Sequence, residues 1–107
     1  MIEGTTNSGF EYSVSDDVGN DLRLYRMLCK LEKAKDLPAE SQGVNMVGLM
    51  FDIAERILGE SQFESYLDFI ESKSDKQTTD GKGLATLSTL DDDVNSIFKN
   101  VNAVKNL

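Results

Sequence analysis

The 107-residue chain has no histidine and no tryptophan, and only one cysteine and one proline. Each scarcity excludes something. Without histidine, the commonest general base, the usual serine and cysteine triads and the commonest zinc ligand are gone. Cys29 has no second cysteine with which to form an internal disulfide. It also lacks a histidine to activate its thiol. Set in an apolar helical pattern, it is expected to be a buried small hydrophobe in a reducing compartment. No apolar run approaches the roughly 20 residues that span a bilayer. The opening MIEGTTNSG has neither a basic region nor an apolar run, so it does not read as a signal peptide. The expected location is the cytoplasm, with no membrane partner.

Positive charge is also scarce. Eleven bases stand against nineteen acids, a formal charge of −8, and no base precedes Arg23. Such a surface repels phosphate backbones, and no nucleic-acid partner is expected. It does keep a small protein soluble. At 39% hydrophobic residues, below the usual level, the chain should form one domain with a thin core.

The acidic clusters do not assemble a metal site on paper. Asp75 to Asp80 fails the calcium-loop pattern: its glycine falls one place late and Thr86 stands where a bidentate glutamate belongs. Asp80-Gly-Lys-Gly83 has no glycine at position 76 and no hydroxyl after Lys82, so it is not a phosphate loop. Asp91, Asp92 and Asp93 diverge by about 100° each on a helix and read as a solvated first turn. No catalytic residue, cofactor site or metal ligand is expected, and the chain reads as a non-enzyme.

Periodicity supplies the fold class. Residues 1–9 are polar and expected to be flexible. Phe10, Tyr12 and Val14 alternate with Glu11, Ser13 and Ser15, the period of a half-buried strand. Asp16, Asp17 and Asn20 offer N-caps for a helix to about Lys35. Its stripe is Leu24, Leu28 and Leu31, broadened by Leu22, Tyr25 and Cys29. The segment Asp36 to Gly43 ends this helix, since Pro38 resists a helical Leu37 before it. A second helix from about Val44 to Leu58 has a broad apolar arc, closed by Gly59. Ser61 to Glu64 fits a capping box for a third helix with Phe63, Tyr66, Leu67 and Ile70 on one face. Residues 72–83 have no apolar member and read as a mobile loop. Leu87, Leu90, Val94, Ile97, Val101 and Val104 then repeat at three and four, capped by Thr89, and residues 102–107 should fray. The expectation is an all-α domain over 10–101, a small bundle of about four helices with room for one short N-terminal strand.

The last helix carries the candidate binding residues. Its apolar seam is narrow, the kind that packs on a single partner helix, and it follows the most polar loop. Leu87, Leu90, Val94, Ile97 and Val101 are therefore candidates for partner binding or for a homo-oligomer contact. The competing reading is that the seam closes the bundle internally.

The order of features resembles a known family. A Gly-Phe-Glu-Tyr strand precedes an acidic pair and a helix. An apolar helix then ends in Leu58-Gly59-Glu60-Ser61-Gln62-Phe63, and the final helix carries Ile97-Phe98-Lys99. Over about residues 9–101 this resembles the tail assembly chaperones of long-tailed bacteriophages and prophages of Gram-positive hosts. The polar segment 72–88 is longer than that pattern has. The resemblance implies a small helical protein that binds and shields the tape-measure protein and helps recruit tail-tube subunits. Two other classes suit the composition: a small inhibitor of the immunity or antitoxin kind, and a minor virion subunit.

Overall fold

The strand expected at Phe10–Val14 forms, and its partner is the segment read as flexible. In the computed structural model, which describes residues 1–37 and 39–105, β1 (Ile2–Thr5) pairs antiparallel with β2 (Glu11–Val14). Ile2 faces Val14, and Gly4 faces Tyr12. The turn between them is closed by Thr6, whose N–H donates to the Phe10 carbonyl and whose hydroxyl accepts from the Phe10 N–H. Gly9 occupies a positive φ of 100° there, which only glycine adopts without strain. The molecule is thus mostly helical with a two-stranded sheet, and not purely all-α. One face of the hairpin (Ile2, Tyr12, Val14) is buried, and the alternate residues look outward.

A short 3-10 turn, Val18–Asn20, leads into α1 (Leu22–Ala34). Its cap is Asp21, in place of the residues before it, which lie in the turn. The Asp21 carboxylate accepts from the Arg23 N–H at 3.1 Å. Leu24 is buried, and Met27, Leu28 and Leu31 are half-buried. Leu22 (81% exposed), Tyr25 and Cys29 lie outside, which corrects the broad stripe expected there. The reason is that α1 packs chiefly on one neighbour, α2 (Ala39–Leu58), and a single neighbour covers only part of a helix. Arg56 of α2 fastens the base of the pair, its guanidinium donating twice to Asp21 at 2.6 and 3.1 Å.

The second helix is the hub, meeting α1, β2, α3 (Glu60–Lys73) and α4 (Leu87–Lys105). Met50, Ile53, Ala54, Ile57 and Leu58 are buried. A single residue separates α2 from α3. Gly59 sits at φ 83°, ψ 155°, a region essentially reserved for glycine. Its N–H donates to the Glu55 carbonyl, and its own carbonyl accepts from Phe63 N–H. Ser61 therefore lies inside α3 and caps nothing, so the capping box is overturned. Phe63, Tyr66 and Ile70 are buried, while Leu67 is half-buried at the margin.

The segment expected to be a mobile loop is a small hairpin. Gln77 bridges Gly83, the Thr78 N–H donates to Lys82 O, and the Leu84 N–H donates to Lys76 O. Thr86, not Thr89, caps α4: its hydroxyl accepts from the Thr89 N–H at 3.3 Å. That helix continues to Lys105 through part of the expected frayed tail. The break at Pro38, the tail's last two residues and the side chain of Val104 lie outside the described residues. Among the described residues, no helix is long and apolar enough to cross a membrane.

Gly83 touches the end of α3 so closely that an added Cβ would lie 1.8 Å from the Glu71 carbonyl oxygen. Backbone must therefore move in Gly83→Ala, and a loss of about 1–3 kcal/mol is expected. Gly48, inside α2, has nothing within 4 Å of such an atom. Gly48→Ala should instead gain roughly 0.5–1 kcal/mol in helix formation. Urea melts of the two variants should move in opposite directions.

Candidate functional site

Because α4 begins at Leu87, its three consecutive aspartates fall in the second turn and not in the first turn expected for them; Asp91 and Asp92 are exposed and Asp93 is 1% exposed. The 100° step per residue accounts for the split. Asp93 lies three residues after Leu90 and one before Val94, and shares their inward face. Among the described residues no cation pairs with it. The Ser8 N–H donates to its Oδ1 at 2.9 Å, and the Ser8 hydroxyl and the Tyr66 hydroxyl each donate to Oδ2 at 2.7 Å. A buried carboxylate is tolerated when charge-assisted hydrogen bonds of this kind replace water. The hydroxyl of Tyr66 belongs to a residue that is itself 1% exposed. Burial, and then the Asp93 carboxylate, push its ionisation well above the ordinary tyrosine range. The cluster joins the hairpin turn, α3 and α4. With both oxygens hydrogen-bonded and the residue 1% exposed, Asp93 is placed to hold the fold together.

Two amides close the edges of the hairpin. Gln62 accepts the Ser13 N–H at 3.0 Å and donates to the Ser13 carbonyl at 2.9 Å, imitating a third strand, and also donates to the Leu58 carbonyl. On the opposite edge, Asn100 donates to the Glu3 carbonyl and to the Tyr12 hydroxyl. Gln62 belongs to the junction that carried the family resemblance. In this structure the junction serves packing: Leu58 and Phe63 are buried, Gly59 turns the chain, and Gln62 holds β2. An aromatic series runs alongside, with Phe10 edge-on to Tyr66 at 5.4 Å and tilted on Phe69 at 5.6 Å.

The candidate binding seam of α4 divides. Leu90, Val94, Ile97 and Val101 are buried in the chain's own core, as the internal-closure reading anticipates, and Leu87 is 47% exposed. A partner could reach those four only by opening the core. Reading the chain alone missed Ser8, Gln62, Tyr66, Asp93 and Asn100 as structural polar groups. The one available signal was an aspartate on the apolar arc between Leu90 and Val94.

Some large apolar side chains remain on the charged surface. Tyr25, Leu37, Phe51 and Leu84 are exposed alongside Leu22 and Leu87. The hollows are shallow. One of about 460 Å³ lies between the end of α3 and the start of α4, lined by Ser8, Lys73, Lys76 and Thr86. Another of about 280 Å³, with Ala34, Leu37 and Leu49 as its walls and Lys30 and Lys33 at its rim, sits at the far end of the α1–α2 pair. Among the described residues no group of three acids or cysteines is placed to hold a metal. No protein-family model, curated protein or solved structure matches the chain.

Removing the Asp93 carboxylate takes the acceptor from three donors, of which the Tyr66 hydroxyl is buried and costs about 1–3 kcal/mol when left unpaired in the interior, while the Ser8 groups are half-buried. Asp93→Ala should therefore destabilise by at least about 2 kcal/mol in denaturant melts, more than Asp92→Ala. Alkali provides a second test. The unfolded tyrosine loses its proton near pH 10, but the folded Tyr66 holds its proton higher. Its contribution is whole below about pH 10 and is lost as pH rises beyond it. Stability should fall with pH in that range, and Tyr66→Phe should flatten the fall.

Proposed function

We propose that this chain is a non-enzymatic assembly chaperone of the phage-tail kind, which holds the tape-measure protein, shields its helices and helps bring in tube subunits. The observation that carries the reading is the apolar surface left over after the core is built. Leu22, Tyr25, Leu37, Phe51, Leu84 and Leu87 stay exposed while the polar groups of the core satisfy one another. Scattered single hydrophobes are ordinary. Here two lie one helical turn apart on α1, and Leu37 borders an apolar hollow, an arrangement suited to gripping a helix. The resemblance at the Leu58–Phe63 junction and at Ile97-Phe98-Lys99 supplies the identity of the partner. Acidic character outside α1 suits a protein that must stay dissolved while its client is hydrophobic.

Co-expression with a long coiled-coil protein encoded beside it tests the proposal. The client should become soluble and co-elute with this chain in size-exclusion chromatography. A client that is equally soluble alone and elutes separately would overturn the reading.

A further inference from the structure

Charge is distributed very unevenly along this molecule. Residues 22–35, which are α1 and Lys35, hold five bases and one acid, while the other residues hold six bases and eighteen acids. The bases of α1 are all exposed. Lys35 pairs with Glu32 at 3.0 Å. Among the described residues, Arg23, Arg26, Lys30 and Lys33 enter no ion pair. Helical spacing puts Leu22, Arg26, Cys29 and Lys33 on one solvent face, at i, i+4, i+7 and i+11. At the end of that face lies the hollow walled by Ala34, Leu37 and Leu49, with Lys30 and Lys33 at its rim.

We propose that this face of α1 docks an acidic amphipathic helix of another protein, seating one apolar side chain in the Ala34–Leu37–Leu49 hollow and setting carboxylates against Arg26, Lys30 and Lys33. The inference rests on the partner-holding function and names its surface and chemistry. Charge complementarity selects the occupant. A second copy presenting the same α1 would bring like charges together, which opposes a symmetric α1–α1 contact. An anionic membrane would meet the whole chain at −8, and the exposed apolar stripe is short for insertion. A slender acidic helix can lie along α1, which is about 20 Å long, while charges beyond the screening length of about 8 Å weigh little.

The test uses fluorescence anisotropy with the full chain and synthetic helical peptides. The probe has leucines at i, i+3 and i+7 flanked by glutamates; one control exchanges glutamate for lysine and another exchanges leucine for alanine. The acidic leucine peptide should bind at least about tenfold more tightly than either control, and more weakly as salt rises. Lys30→Glu with Lys33→Glu should weaken it by at least about tenfold, while Lys82→Glu with Lys99→Glu, an equal change in net charge, should change it by less than about twofold. Circular dichroism should show all variants folded, since these side chains are exposed. Equal binding of the three peptides, or equal effects of the two double variants, would overturn the proposal. So would tighter binding of anionic phosphatidylglycerol vesicles than of the peptide. Self-association in sedimentation that the Lys30 and Lys33 changes abolish would overturn it too, by making the chain's own acidic surface the occupant. If these fail while the Lys30 and Lys33 variant still solubilises the long coiled-coil client, only the docking surface is wrong. If the unaltered chain never holds that client, the functional reading itself falls.

Discussion

A buried carboxylate that pairs with no cation among the described residues governs this fold. Asp93 cannot enter the interior unless donors meet both of its oxygens. Two come from Ser8, 85 residues away in the chain, and one comes from Tyr66 on α3. Meeting that demand fixes where the hairpin turn sits against α4 and where Tyr66 of α3 meets them both. A two-stranded hairpin is marginal on its own. This one persists because its turn is bonded to Asp93, its inner face contributes Ile2, Tyr12 and Val14 to the core, and Phe10 packs on Tyr66 and Phe69.

A two-stranded sheet has two open edges, each able to pair with another chain. Here each edge is met near its centre by a side-chain amide, Gln62 on β2 and Asn100 on β1. Both amides come from helices that already pack on the hairpin's core, so edge protection and docking are one device. The same contact explains why Gly4 is glycine. The Tyr12 ring lies where a Cβ would be, 2.5 Å from the hydroxyl oxygen, and Asn100 closes in at 2.8 Å. A side chain at position 4 would push the ring away and separate the Asn100 amide from it.

Periodicity made the helices legible, together with the β2 alternation, because burial on one face repeats every 3.6 or two residues. The sequence pattern also revealed the α4 seam, although not its role. The hidden features were those made by distant partners. β1 contains Gly4 and is followed by polar residues, with nothing local to mark it as a strand until β2 is beside it. Helix starts were displaced because several residues near each boundary can cap; Asp21 prevailed over Asp16, Asp17 and Asn20 because Arg56 also holds it. Cys29 was misplaced because an apolar residue next to a stripe counts as core only if a second neighbour covers it, and α1 has chiefly one. The polar hairpin at 74–84 escaped notice since its order comes from backbone bonds and from Gly83 lying on the end of α3, neither of which leaves a hydrophobic trace.

The separation of charge follows from the same architecture. α2 is covered on several sides and supplies the hub, so its apolar arc is broad. Apart from Asp93, the acids of α3 and α4 face outward, where they can be hydrated. α1 is held chiefly by α2 and by the Arg56–Asp21 clasp at its base, and it alone of the four helices carries an excess of bases. That clasp uses Asp21 twice, once as the helix cap and once as an ion-pair partner. Arg56 lowers the Asp21 ionisation, so its contribution is present above the ordinary carboxylate range and is lost as pH falls through the folded value. The core residues of α4 and the hairpin can therefore stay closed while the outer face of α1 meets a partner. Binding there asks for no opening of the core, whereas binding through Leu90, Val94, Ile97 and Val101 would require the Asp93 cluster beside them to come apart.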